Sequence, residues 1–149
     1  MSDTARSILI AEDDPNDRLL IQRAFRRANL ANPLQFVGDG VEACAYLAGD
    51  GEYADRARYP LPILLLLDIK MPRRSGLEVL AWLREQPGLR RLPVVVLTSS
   101  QESVDVQAAY ELGANSYLLK PGSPDELLRI VQALDLYWAI LNNPPELEA

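Results

Sequence analysis

Five consecutive apolar residues at Ile63–Leu67 (Ile-Leu-Leu-Leu-Leu) run directly into an acid, Asp68. A strand that is apolar at every position has both faces buried, which is typical of a central strand in a parallel sheet. Val94–Leu97 repeats the pattern and runs into Thr98. The chain therefore centres on buried strands, and polar residues begin where these strands end.

Outward from these two segments, short apolar strands alternate with helical patterns. The other predicted strands are Ile8–Ala11, Pro33–Val37 and Ser116–Leu119. The predicted helices are Pro15–Asn29, with Asp14 as its N-cap, Gly40–Ala48, Ser75–Gln86, Glu102–Leu112 and Pro124–Leu141. Such alternation predicts an α/β fold: a doubly wound five-stranded parallel sheet with helices on both faces. The last helix is unusually long for its place, and Asp50–Pro62 is long for an αβ loop.

Composition limits the class of protein. The 149 residues, 48% hydrophobic, fit one domain, with a core at about 6–133 and a C-terminal helical extension at about 134–149. We expect no attached output domain and no signal segment. A net charge of −6 argues against binding to nucleic acid or an anionic membrane. The single cysteine, Cys44, excludes an internal disulfide and favours the reducing cytoplasm, and its apolar neighbours predict a core position.

Polar residues follow four of the five predicted strands. They are Glu12-Asp13-Asp14, Asp68, Thr98-Ser99-Ser100 and Lys120. Each group alone also fits an ordinary structural role: a helix N-cap, a first-turn acid or a solvated lysine. All four at successive strand ends indicate a site instead, because ligands of such sheets bind beyond the carboxyl ends of the strands.

The chemistry of this site follows from its charges. Two carboxylates about 4 Å apart repel by roughly 4 kcal/mol at an effective dielectric near 20, so several of them need a cation. Oxygen ligands with room for a phosphate suit Mg²⁺. Asp68 is then a candidate carboxylate nucleophile for phosphoryl transfer, with Lys120 neutralising the phosphoryl oxygens. Thr98 offers a hydroxyl donor, and the small Ser99 leaves the approach open.

The same residues carry a family resemblance. The motifs are Leu9–Asp14, Leu66–Pro72 with Gly76, Pro93–Ser99 and Gly113–Pro121. Over nearly its whole length the chain resembles response-regulator receiver domains of two-component signalling, which have the flavodoxin-like fold. The resemblance implies a protein that accepts a phosphoryl group from a histidine kinase on Asp68 and signals through a conformational change. Since the chain has no histidine, the donor histidine would lie on the kinase.

The resemblance also implies a role for each site residue. The Mg²⁺ ligands would be Glu12, Asp13, Asp68 and the backbone carbonyl of Lys70, and of the acid pair Glu12-Asp13 it is Asp13 that would bind the metal directly. The switch residues would be Thr98 and Tyr117. Lys120 would bind the phosphoryl group, and Lys120–Pro121 would be a cis peptide.

A narrower resemblance is to stand-alone regulators that partner bacterial phytochrome kinases. It rests on the long Asp50–Pro62 segment and on the tail 134–138. Leu134, Tyr137, Trp138 and Leu141 extend the apolar stripe of the last helix beyond the sheet, which predicts a homodimer through this helix and tail. Asn115-Ser116 replaces the acidic approach to the fifth strand found in DNA-binding regulators, so their ion-pair dimer is not expected.

Two other functional classes compete with this interpretation. An aspartate-nucleophile phosphatase needs a second acid two residues after the nucleophile, where this chain has Lys70. A degenerate receiver would be a phosphorylation-independent scaffold, which the intact Asp68, Thr98 and Lys120 argue against. We expect no enzyme activity beyond self-phosphorylation and slow self-dephosphorylation. A P-loop enzyme is excluded because the chain has no Gly-x-x-x-x-Gly-Lys run.

Overall fold

The computed structural model describes residues 7–135 and 147 of the chain. Five parallel strands form one sheet in the order β2-β1-β3-β4-β5. They are β1 (Ile8–Ala11), β2 (Leu34–Val37), β3 (Leu64–Leu67), β4 (Val94–Thr98) and β5 (Ser116–Leu119). This topology confirms the predicted doubly wound sheet. The strand order reverses between β1 and β3, so the loops after these two strands diverge and leave a crevice at their carboxyl ends.

Five α-helices connect and follow the strands. They are α1 (Pro15–Arg27), α2 (Gly40–Ala48), α3 (Gly76–Arg84), α4 (Ser103–Glu111) and α5 (Pro124–Asp135). Their bounds agree with the predicted ones to within about two residues, except for the last helix. As predicted, Asp14 caps α1, since its carboxylate accepts the backbone N–H of Asn16 at 2.8 Å. The predicted continuation of the last helix, with Tyr137, Trp138 and Leu141, lies outside the described residues.

The hydrophobic core lies on both faces of the sheet. In β3, Leu65 and Leu67 pack into one cluster, with α2 and α3. Leu64 and Leu66 pack into the other, which includes residues of α1 and α5. Each of the four leucines is at most 3% exposed. The uniformly apolar strand therefore has the two buried faces that its sequence predicted. Cys44 belongs to the first cluster, which confirms its predicted core position.

The Asp50–Pro62 segment is folded onto α2. It contains a short 3-10 helix at Gly51–Ala54. Tyr53 and Tyr59 pack against Tyr46 of α2 with ring centroids 5.0 and 5.9 Å away. The Arg56 guanidinium donates to the carbonyl oxygens of Tyr46 and Leu47 at 2.8 and 2.9 Å, at the C-terminal end of α2, where the regular helical hydrogen bonds stop. Arg56 and the cluster of three tyrosines thus hold this long connection between α2 and β3 against the helix.

Between residues 7 and 135, no helix is both long and apolar enough to cross a membrane.

Candidate functional site

Asp68 follows β3 and is held by three hydrogen bonds. The Thr98 hydroxyl donates to its Oδ1 at 2.7 Å, and the backbone N–H of Lys70 donates to the same oxygen at 3.0 Å. The Lys120 ammonium donates to Oδ2 at 2.8 Å. Asp68 is 4% exposed. The structure therefore brings together the predicted nucleophile, hydroxyl and lysine from the ends of three neighbouring strands.

Gly76 is required by the close approach of α3 to Asp68. A Cβ added at Gly76 would lie 2.3 Å from the Asp68 carbonyl oxygen and 2.7 Å from Ile69 Cα. Both atoms belong to the backbone, so neither can move aside cheaply. The glycine of the second motif thus allows α3 to begin directly against the loop that carries Asp68.

The Lys120 ammonium contacts three carboxylates. Nζ lies 2.6 Å from Glu12 Oε1, 2.7 Å from Asp17 Oδ2 and 2.8 Å from Asp68 Oδ2. Burial alone would lower the pKa of Lys120, but the hydrogen bonds to the three acids outweigh it and raise this pKa above its usual value. Lys120 is therefore a fixed positive charge beside Asp68. Asp17 was not among the predicted site residues.

Glu12, Asp13 and Asp68 form a group that could hold a metal ion. One carboxylate oxygen from each lies within 4.8 Å of the other two. Glu12 is 2% exposed, whereas Asp13 is exposed to solvent. Burial raises the pKa of Glu12 to about 7, although hydrogen bonds from Lys120 and from the Asp14 backbone partly oppose this, and the neighbouring Asp68 charge adds to it. Hard oxygen donors with one open side fit Mg²⁺, which keeps several waters.

The remaining predicted site residues lie around this centre. Ser99, directly after Thr98, is exposed. The Lys70 N–H donates to Asp68 Oδ1. The role of the Lys70 backbone carbonyl as a metal ligand stays a prediction. Tyr117 is half-buried, and its hydroxyl donates to the Ser100 carbonyl oxygen at 2.9 Å. The side chain of Tyr117, the predicted aromatic switch residue, is thus hydrogen-bonded to the loop after β4.

One predicted feature of the site is wrong. There is no cis peptide bond among the described residues, so Lys120–Pro121 is trans. The trans form is the intrinsically favoured isomer of an X–Pro bond by about 0.5–1 kcal/mol. Here the Lys120 ammonium reaches Asp68 with the bond in the trans form, so the cis isomer is not needed to place it.

Asp105 of α4 is a second residue that the sequence reasoning missed. Its Oδ2 accepts the Ser100 hydroxyl at 2.6 Å and lies 3.4 Å from Lys70 Nζ. The Ser100 hydrogen bond and the Lys70 charge lower the pKa of Asp105 against the opposing effect of burial. Asp105 is 8% exposed. The sequence showed an acid in the first turn of a predicted helix. It did not show that the side chain at this position faces inward.

The fold and the site together define the class of protein. Residues 8–132 match the model of the response regulator receiver domain family, and the chain belongs to that family.

Particular relatives narrow the class further. The chain is 39% identical to Response regulator Rcp1 of Synechocystis sp. over 137 residues, which cover 92% of this chain and 91% of that protein. It is similar to the crystal structure of the phosphorylated cyanobacterial phytochrome response regulator RcpA, with a TM-score of 0.87, 36% identity and coverage of 95% and 99% of the two chains. The Mn²⁺-bound form of Rcp1 has a TM-score of 0.83 at 38% identity, covering 94% of this chain and 99% of that one. The predicted resemblance to response regulators of phytochrome signalling is confirmed.

Proposed function

We propose that this chain is a two-component response regulator that accepts a phosphoryl group from a histidine kinase on Asp68. The observation that carries the proposal is the geometry at Asp68. A buried carboxylate at a strand end has one oxygen bonded to a hydroxyl and the other to an ammonium. Removing a carboxylate from water is costly, and this chain surrounds it with groups that also suit a phosphoryl oxygen.

The transfer joins Asp68 to phosphorus. A carboxylate oxygen of Asp68 attacks the phosphorus of a phosphohistidine on the kinase, and an acyl phosphate O–P bond forms. The P–N bond breaks, and its electron pair stays on the imidazole nitrogen of the kinase. The Lys120 ammonium, already 2.8 Å from Asp68 Oδ2, stabilises the added negative charge. The Thr98 hydroxyl, which donates to Asp68 Oδ1, would donate to a phosphoryl oxygen once Asp68 carries the phosphoryl group.

We further propose Mg²⁺ as the cofactor. Glu12, Asp13 and Asp68, with the Lys70 carbonyl, would hold it, and it would neutralise charge on the phosphoryl oxygens. The close set of carboxylate oxygens supports this, as does the Mn²⁺-bound form of the relative Rcp1. Without a divalent cation, two of these acids, Glu12 and Asp68, share the Lys120 ammonium.

The signal leaves the site through Thr98 and its neighbours. The backbone N–H of Ser100 donates to Thr98 Oγ1 at 3.4 Å, and the Ser100 carbonyl holds Tyr117. Movement of Thr98 toward a phosphoryl group therefore changes the loop after β4 and the positions of α4 and β5. We propose that these elements present the phosphorylation-dependent surface to partners.

The kinase partner is proposed to be a bacteriophytochrome. Similarity to response regulators of phytochrome signalling supports this choice. The chain supplies no histidine of its own. We propose that it acts in the cytoplasm, without nucleic acid or membrane contact, and that its only catalysis is uptake and slow hydrolysis of its own phosphate.

Radiolabelled acetyl phosphate with Mg²⁺ tests the function. Wild type should take up label, and Asp68→Asn should keep the fold and lose it. Asp125→Asn, which changes an exposed aspartate, is the matched control and should label like wild type. Undiminished label on Asp68→Asn would mean that another residue accepts phosphate. A wild type that takes up no label from either acetyl phosphate or a phytochrome kinase would favour the scaffold alternative.

Assembly is proposed as a homodimer through the last helix and the tail. Leu127 and Val131 of α5 are buried against the sheet, while Leu134 is partly buried at the end of the described helix. Tyr137 and Trp138 lie outside the described residues. Sedimentation of wild type and a Tyr137→Ala, Trp138→Ala double variant checks the proposal. A wild type that stays monomeric at tens of micromolar, with and without a phosphoryl mimic, would exclude this dimer.

A further inference from the structure

The three acids around Lys120 are not equivalent. Glu12 and Asp68 belong to the group of oxygens that could hold a metal ion, and each also binds the ammonium. Asp17 Oδ2 lies 2.7 Å from Nζ but is outside that group. A lysine ammonium has three N–H donors, and the three carboxylates take them all. Asp17 is therefore the partner that the ammonium can keep when a cation takes the others.

We propose that Asp17 is a positioning residue that anchors the Lys120 ammonium when a divalent cation enters the acid group. This inference rests on the proposed function, because it assigns the lysine its place during phosphoryl transfer. If Glu12 and Asp68 held a cation, their oxygens would be less available to the ammonium, and the cation charge would repel it. With Asp17 as its third partner, the ammonium stays beside Asp68 instead of competing with the cation.

The position of Asp17 suits this role because its backbone is fixed. It lies in the first turn of α1, and its N–H donates to the carboxylate of the N-cap Asp14 at 3.4 Å. Arg18, the next residue, donates from Nε to the Glu12 carbonyl oxygen at 2.6 Å. These contacts tie the start of α1 to the loop after β1. A carboxylate on a helix held in this way can fix an ammonium more closely than one on a loop.

The surroundings strengthen the ion pair. The side chains of Lys120 and Asp17 are 19% and 28% exposed, in contrast to the pair Arg27–Asp125, whose side chains are 49% and 75% exposed. Leu20, Ile21 and Leu97 line the small cavity beside Asp17 and Lys120. Partial exclusion of water makes the pair stronger than a surface salt bridge.

Asp17 also has a simpler explanation as a first-turn acid that stabilises α1 through the helix dipole. The two roles predict different effects of Asp17 on Mg²⁺ binding when Lys120 is removed. A helix-dipole effect, or a general effect of negative charge on cation binding, does not depend on the lysine. A positioning effect disappears when the lysine is gone.

A double-mutant cycle separates these roles. The Mg²⁺ dissociation constant is measured by calorimetry, without any phosphoryl donor, for wild type, Asp17→Asn, Lys120→Met and the double variant. We expect Asp17→Asn to weaken Mg²⁺ binding by about fivefold when Lys120 is present and by less than about twofold in the Lys120→Met background. Circular dichroism checks that each variant is folded. Equal weakening in both backgrounds, or no weakening in either, would overturn the proposal.

Phosphate uptake supplies a second readout. Asp17→Asn should lower the maximal rate of labelling from acetyl phosphate at saturating Mg²⁺, and Asp17→Glu, which keeps the carboxylate, should restore most of it. Asp125→Asn removes another first-turn acid that is paired with an arginine, and should leave the rate unchanged. A wild type that fails to label would count against the proposed function alone, since the Mg²⁺ cycle needs no phosphate. A labelling rate that Asp17→Asn leaves unchanged at saturating Mg²⁺ would overturn the role of Asp17.

Discussion

Protonation of Glu12 should make Mg²⁺ binding depend on pH in a range where most carboxylates do not titrate. Burial raises the pKa of Glu12 from 4.5 to about 7. A metal ligand must be ionised, so the proton and the cation compete for this side chain. Lowering the pH from about 8 to about 6 takes Glu12 from mostly ionised to mostly protonated. One pH unit below the pKa corresponds to about 1.4 kcal/mol, so Mg²⁺ affinity should fall by about tenfold.

Calorimetric titration of wild type and Glu12→Gln with Mg²⁺ at both pH values measures this change. A glutamine at position 12 takes up no proton in this range, so the Gln variant should bind more weakly but with almost the same affinity at about pH 6 and about pH 8. Without Mg²⁺, the contribution of Glu12 to the free energy of unfolding should fall as the pH rises, which is opposite to the pH dependence of Mg²⁺ affinity. The folded state holds the Glu12 proton more tightly than the unfolded chain, so this residue's contribution to stability is lost as the pH rises from 4.5 to about 7.

Two results would refute the reasoning. The first is a wild-type affinity that is the same at both pH values, which would mean that Glu12 is already ionised near pH 6 or is not a ligand. The second is a tenfold change that persists in Glu12→Gln, which would assign the titration to another group.

Two further predictions concern the switch and the fold. Thr98→Ala should still accept phosphate on Asp68, but the amide hydrogen exchange of α4 should no longer change on phosphorylation. Thr98→Ser, which keeps the hydroxyl, should show the change. A full change in the Ala variant would remove Thr98 from the switch. Arg56→Met should lower the free energy of unfolding by about 1–3 kcal/mol, since it leaves the Leu47 carbonyl at the end of α2 without its donor and the Tyr46 carbonyl with the Gly49 N–H alone. The exposed Arg58→Met should change it by less than about 0.5 kcal/mol in the same denaturant titration, and equal effects would contradict the capping role.

The fold could be predicted because its determinants are local. A fully apolar strand such as β3 has few alternatives to a buried parallel position, and Asp14-Pro15 fixes the start of α1. The positions of Asp68 and Thr98 could be predicted for the same reason. A residue at the end of a parallel strand lies at the carboxyl edge of the sheet regardless of how the other segments fold.

The remaining site residues depend on geometry that the sequence does not contain. Asp17 and Asp105 both lie in the first turn of a helix, where acids are common for reasons of helix stability. Whether such an acid faces the site depends on the rotation and tilt of its helix on the sheet, and packing sets both. The isomer of the Lys120–Pro121 peptide bond could not be predicted from the sequence either. The free-energy difference between the two isomers is small, and the tertiary structure selects between them.

The contacts of Asp105 suggest that the switch moves several elements together. Its carboxylate binds Ser100 in the loop after β4 and Lys70 in the loop after β3, and it belongs to the first turn of α4. Ser100 in turn contacts Thr98 through its N–H and Tyr117 through its carbonyl. Any displacement of Thr98 must therefore either carry Ser100 with it or break a buried hydrogen bond, which leaves a polar group without a partner at a cost of about 1–3 kcal/mol. Concerted movement of this loop with the start of α4 avoids that cost, so the response should have two states and not a continuum.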